Sequence, residues 1–244
     1  MARRGKLNEK QARDIIERPA RNRKYTYHIL IACEDENTEP YYFEKYKQQF
    51  EDIWPKKTLF LRPIGTGRNS LGVVNRAIEE RKVLASEANR TTIDQTWAVF
   101  DKDDLDKTEG NRRNFIEAFK IGEKENVKIA YSNECFELWL LLHLEDVDKE
   151  NAIPRTEVYN RLGKALKSIC GDDFEYDHGD KRVVDLVLEY GDRDAAVRRA
   201  EELCSFHSRE EHEPIDSNPN TLLHTLVNEL ESWLEFYRYD SYDG

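Results

Sequence analysis

The sequence predicts an α/β fold, a parallel sheet with helices on both faces, followed by a C-terminal helical extension. Three observations predict it. Four short apolar runs alternate with amphipathic helical stretches as far as residue 144. Turn residues or acids close each run, and the last hundred residues carry helical patterns alone. Strictly alternating strand and helix patterns are the signature of a parallel sheet. The 244 residues suffice for one sizeable domain with an addition. The boundaries expected are a basic arm over 1–24, an α/β domain over 25–145 and a helical region over 146–244.

The elements follow in order. "YTYHILIAC" (25–33) alternates and then runs apolar, as a buried strand does. "TEPYYFEKYKQQFEDI" (38–53) is a helix, with Thr38 placed to cap it, Pro40 in its first turn and acids at its start. "KTLFLRPIG" (57–65) is a second strand. A Gly-rich turn then opens a helix over 66–88, with Leu71, Val74, Ala77, Ile78 and Val83 as its apolar positions. "DQTWAVFDKDD" (94–104) is a third strand, 110–125 a helix and "VKIAYS" (127–132) a fourth strand. "NECFELWLLLHL" (133–144) is apolar around most of its circumference, which marks a buried helix. Beyond it, 155–170, 180–190, 192–207 and 221–237 read as helices.

Composition narrows the class. Charged residues make up 36% and apolar ones 39%, the latter periodic, so the chain is globular. No apolar run approaches the roughly 20 residues of a membrane span. The first residues lack the apolar core of a secretory signal. Cys33, Cys135, Cys170 and Cys204 stand far apart, as reduced thiols of a cytoplasmic protein do. The net charge is −11, yet residues 1–24 hold nine Lys/Arg against three Asp/Glu, a net +6 that leaves −17 for the rest. An arm of this kind, Arg3 and Arg4 included, is a solvated tail or a contact to a phosphate backbone.

The acids carry the chemistry. Right-handed crossovers put the C-terminal ends of all strands on one edge of the sheet, and ligands bind just outside that edge. Glu34 closes the first strand, with Asp35, Glu36 and Glu39 following. Asp101 and Asp103 close the third. In the strand order 2-1-3-4 the two clusters face each other. Extended geometry would point Asp101 and Asp103 the same way and turn Lys102 and Asp104 aside. Crowded carboxylates are either solvated or hold a hard cation such as Mg²⁺, Mn²⁺ or Ca²⁺. Glu137 stands out inside its apolar run, since a buried acid needs a partner. It is either ion-paired with an arginine or, with Asn133 capping the same helix, set beside the metal site. His143 reads as a core histidine. Arg62, Arg68 and Arg76 are phosphate contacts or solvated cations.

Other chemistries fit poorly. "DKDDL" departs from the phosphatase pattern D-x-D-x-[TV] at its fifth position. "GTGRNSLG" lacks the Lys-Ser/Thr ending of a Walker A loop. No spacing of histidine with serine or cysteine argues for a nucleophile.

"CEDENTEPYYFE", "VFDKDD", "YSNECFELWLLLH" and "SNPNTLLHTLVNEL", in this order, resemble the RloB-like family of prokaryotic defence proteins. The resemblance spans about residues 25 to 237. It implies a Toprim-like fold and a place beside restriction or abortive-infection loci, commonly with an ABC/OLD-type ATPase encoded nearby. It further implies Mg²⁺ or Mn²⁺ held by Glu34, Asp101, Asp103 and Glu39. Glu34, Asp101 and Asp103 are then the catalytic set, and Asn133 and Glu137 support it. Arg62, Arg68, Arg3 and Arg4 are expected to contact nucleic acid. The implied activity is phosphodiester cleavage of RNA (tRNA among the candidates) or DNA as a toxic arm of phage defence. The alternative is a non-catalytic subunit docking on the ATPase through its acids. Homo-oligomerisation stays open. Two positions depart from the family pattern: Asp35 stands where Gly is usual, and Glu134 where Pro is usual.

Overall fold

The computed structural model describes residues 27–53, 59–86, 92–102 and 109–242. Among these residues four strands and eight helices follow one another as β1 (Tyr27–Cys33), α1 (Thr38–Ile53), β2 (Leu59–Gly65), α2 (Ser70–Ser86), β3 (Gln95–Asp101), α3 (Glu109–Glu125), β4 (Lys128–Ser132), α4 (Glu137–Leu142), α5 (Arg155–Cys170), α6 (Lys181–Tyr190), α7 (Arg193–Arg209) and α8 (Leu223–Tyr242). The sheet is parallel throughout, in the order β2-β1-β3-β4. β1 and β3 are therefore neighbours, with Cys33 in register with Val99.

Helices cover both faces, so the strands are apolar on both sides, as buried parallel strands are. Ile29, Ile31, Trp97 and Val99 face one core. Ala32, Ala98 and Phe100 face the other. The second core is closed by Val73, Val74 and Ala77 of α2 and Phe115 of α3. The first continues through Tyr42 and Phe43 of α1 and Trp139 of α4 into Leu162 of α5, Val184 of α6, Ala196 of α7 and Leu226 of α8. The C-terminal helices thus share one apolar interior with the sheet. All four cysteines are free. No described helix is long and apolar enough to cross a membrane.

His143 lies in that interior. Its Nδ1 is 2.9 Å from the Trp139 carbonyl, which can only accept, so Nδ1 carries the hydrogen. The bare Nε2 is buried without a hydrogen-bond partner, and the Trp139 and Tyr42 rings pack edge-on against the imidazole. Burial, reinforced by Arg193, lowers its pKa to about 4 against the bond to Trp139. The unfolded chain therefore binds a proton in the interval where the folded chain does not, and stability rises with pH there. Between pH 6.5 and 4 the wild type should lose about 3 kcal/mol more than His143→Phe. Urea unfolding at stepped pH measures this. Parallel curves for the two proteins would show that His143 titrates normally.

Candidate metal and substrate site

The site begins where β1 runs out. The Thr66 N–H donates to the Cys33 carbonyl and the Gly67 N–H to the Glu34 carbonyl, so the turns after β1 and β2 lie against each other. Gly65 permits this contact. A Cβ there would stand 2.6 Å from the Glu36 Cα and 2.8 Å from the Asp35 carbonyl oxygen.

Within the turn, Asp35 does the work expected of Thr38. Its carboxylate accepts from the Glu36 and Thr38 N–H groups, both at 2.6 Å. Thr38 is the first helical residue, and its buried hydroxyl has no hydrogen-bond partner. The capping oxygen thus comes from three residues earlier, because the chain enters α1 through an Asx-type turn. Asp35 also donates its N–H to Glu39 Oε2 at 3.2 Å, aiming that side chain back toward the strand ends.

β3 ends beside this turn. The Asp101 N–H donates to Glu34 Oε2 at 3.1 Å, linking the two strand ends. Asp101 Oδ1 is buried without a hydrogen-bond partner, while Oδ2 is 3.9 Å from Arg155 Nη2. Glu39 and Glu137 are both almost wholly buried. Burial first, then Glu34 and the nearby Asp35 and Glu137, pushes Glu39 well above the usual carboxylate range. Burial, then Glu39, Glu34 and Glu137, does the same to Asp101 against the pull of Arg155. Four carboxylates from β1, α1, β3 and α4 converge at this edge. Two buried thiols nearby, Cys33 and Cys135, are pushed up by burial and the same acids, and stay protonated.

Glu137 is paired with a histidine, not with the arginine of one of its two readings: its Oε1 lies 3.0 Å from His178 Nδ1. His178 sits in the loop before α6 and stacks on Tyr159, which in turn stacks on Tyr176. Arg155, first residue of α5, donates from Nη2 to the Glu134 carbonyl beside Asp101. The helical region therefore supplies positive groups to an acidic edge built by the sheet. Sequence spacing carries no trace of either residue's place.

Asn133 does not cap α4, which starts at Glu137 with no side-chain cap. Its amide donates to the Ser217 and Pro214 carbonyls, and its buried Oδ1 has no hydrogen-bond partner. A buried polar loop explains this: Thr221 pairs antiparallel with Ser132, and Asn220 and Ser217 both reach the Tyr131 hydroxyl. The loop extends the sheet beyond β4 and occupies Asn133. Glu134 has φ 72°, a left-handed conformation that a proline, held near −65°, does not take. Its departure from the family pattern thus lies in the turn itself.

Arg62 stands mid-strand, opposite Leu30, and shares the buried Glu80 with Arg76 at 2.7 and 2.9 Å. Arg68 is exposed in the turn after β2, at the acidic edge. Asp103, Asp104, Arg3, Arg4 and the whole arm over 1–24 lie outside the described residues. Lys102 is buried, its N–H donating to the Ser132 carbonyl.

The donor set suits a hard divalent cation. Mutual repulsion and the unpartnered Asp101 oxygen call for positive charge, and hard oxygens match it. Among the described residues no three acidic, histidine or cysteine side chains form a ready cage. Mg²⁺ typically needs only one or two carboxylates, completed by water and substrate phosphates.

The family model described as RloB-like protein matches residues 29–230. No curated protein and no solved structure matches the chain.

Proposed function

Because the chain belongs to the RloB-like family, we propose that it is a metal-dependent nuclease of phage defence, cleaving phosphodiester bonds of RNA, tRNA included, or of DNA. One observation carries the reading: Glu34, Glu39, Asp101 and Glu137 converge at the strand-end edge, where Asp101 keeps a buried oxygen without a hydrogen-bond partner. Glu34, Asp101 and Asp103, with Glu39 beside them, would hold Mg²⁺ or Mn²⁺. When bound, the cation supplies Lewis-acid stabilisation of the charge that builds on the phosphate.

The chain's own residues do the rest. Glu34 is only half-buried, and its role in this reading is to take a proton from an attacking water. The Asp101 N–H holds the Glu34 carboxylate at the strand end. Arg68, with Arg3 and Arg4 of the arm, holds the strand through its phosphates. An ABC/OLD-type ATPase is the proposed partner, docked on the C-terminal helices. There the exposed Ile169 and Tyr190 line a cleft of about 450 Å³ between α5, α6 and α7.

The test supplies Mg²⁺ or Mn²⁺ with separate pools of tRNA, mRNA, plasmid and single-stranded DNA. The expected result is cleavage of one pool that stops with chelator and in Asp103→Asn and survives in Asp104→Asn. Cleavage of no pool would favour the alternative, a non-catalytic subunit whose acids dock on the ATPase.

A further inference from the structure

We infer that Glu137 and His178 form a catalytic dyad, in which the buried carboxylate orients the imidazole so that His178 Nε2 protonates the leaving oxygen of the phosphodiester. The inference rests on the nuclease reading and adds a residue to it.

The geometry is that of a base and its orienter. Glu137 is almost wholly buried, and its Oε1 accepts from His178 Nδ1 at 3.0 Å. A carboxylate that engages Nδ1 holds the proton there and fixes the ring, leaving Nε2 as the outward group. The His178 side chain is 63% exposed although its partner is enclosed. One face of the imidazole stacks on Tyr159 at 5.0 Å between centroids, with the planes 32° apart. Packing and hydrogen bond together thus set its orientation at the edge where Asp101 lies.

The electrostatics favour an acid over a base. The groups acting on His178 are Glu137 from α4, Asp35 from the turn after β1 and Arg155 from α5. The bond to Glu137 raises its pKa, burial opposes it, Asp35 adds to the rise and Arg155 works against it. The protein's own groups give a net upward direction. An imidazolium beside a carboxylate cluster is suited to giving a proton at the moment a leaving oxygen gains charge.

The step balances as follows. The oxygen of water bonds to phosphorus, and its proton passes to Glu34. The bond from phosphorus to the leaving oxygen breaks, its electron pair going to that oxygen. Nε2–H gives its proton to the same atom, and solvent later reprotonates the ring.

The test compares the wild-type full chain with His178→Gln and Glu137→Gln, each confirmed as folded by circular dichroism. Two matched oligonucleotides are supplied with Mg²⁺, one ordinary and one with sulfur in place of the leaving oxygen. A thiolate leaves without protonation, so it needs no acid. His178→Gln should lose about 10²- to 10⁴-fold on the ordinary strand and recover nearly the wild-type rate on the sulfur strand. The alkaline limb of the wild-type pH profile should vanish in the same variant. In Glu137→Gln that limb should move to lower pH, and long-range ¹H–¹⁵N spectra should show His178 losing its fixed Nδ1–H. An equal loss on both strands would make His178 a structural clamp and overturn the acid role. Unimpaired cleavage of the ordinary strand would overturn it as well. A wild-type chain that cleaves neither strand overturns the nuclease reading and the acid role together, which separates the two failures. A His178 titration unchanged in Glu137→Gln overturns the dyad itself.

Discussion

Asp101→Asn should give a protein that no longer cleaves nucleic acid, yet melts higher than the wild type when no divalent cation is present. The two effects have one cause. Asp101 is held against Glu39, Glu34 and Glu137 in a largely buried position, and its pKa is raised well above the usual carboxylate range. Below the ordinary carboxylate pKa, both folded and unfolded chains hold the proton. As pH rises, the unfolded chain releases it first, so stability falls through the raised folded pKa. Asparagine keeps the shape and removes the charge. The melting temperature should therefore rise by at least about 2–4 °C at neutral pH, the change that about 1 kcal/mol produces in a chain of this size. That gain should shrink toward about pH 4, where the wild-type carboxyl is protonated as well. Under the proposed metal role Mg²⁺ should reverse the ranking: it stabilises whatever binds it in the folded state alone, and Asp101→Asn would lack one of the proposed ligands. Thermal melts across pH, with and without Mg²⁺, read both effects. A variant that melts lower at every pH and still responds to Mg²⁺ like the wild type would sink the metal assignment.

Gly65→Ala should cost both stability and cleavage. Its effect comes from space, since Gly65 is absent from the positive-φ glycines. The added methyl would meet the Glu36 Cα at 2.6 Å and the Asp35 carbonyl oxygen at 2.8 Å, both backbone atoms that cannot swing away. The turn carrying Glu34 and Asp35 must move, and with it the hydrogen bonds that aim Glu39 and join Glu34 to Asp101. About 1–3 kcal/mol of stability should go. Cleavage should fall on the order of 10²-fold, the usual cost of ångström-scale misplacement. Gly110→Ala is the control. It lies in α3, where a Cβ meets nothing within 4 Å, and should stabilise the protein by about 0.5–1 kcal/mol. Equal losses in the two variants would mean that the turn contact is unimportant.

Some parts of this architecture are legible residue by residue. α1 spans Thr38–Ile53 and α5 spans Arg155–Cys170, as their periodicity and the prolines at their starts predict. Parallel topology alone allows several strand orders; the structure takes β2-β1-β3-β4, the one that sets Glu34 beside Asp101. α4 is shorter than its apolar run suggests, because Asn133 and Glu134 are claimed by other parts of the chain.

By itself, the sequence determined the order of strands and helices, the faces they bury and the edge on which the acids gather. Each of these depends on periodicity and turn chemistry among close neighbours, which a linear reading can follow. The tertiary structure alone decided who answers those acids. Glu80 took Arg62, and Asn133 turned to a carbonyl 84 positions away. Arg155 and His178 reached Asp101 and Glu137 from helices and loops that carry no motif of their own. A buried polar group takes whichever partner the packing brings within about 3 Å, since leaving it bare costs more than any local preference supplies.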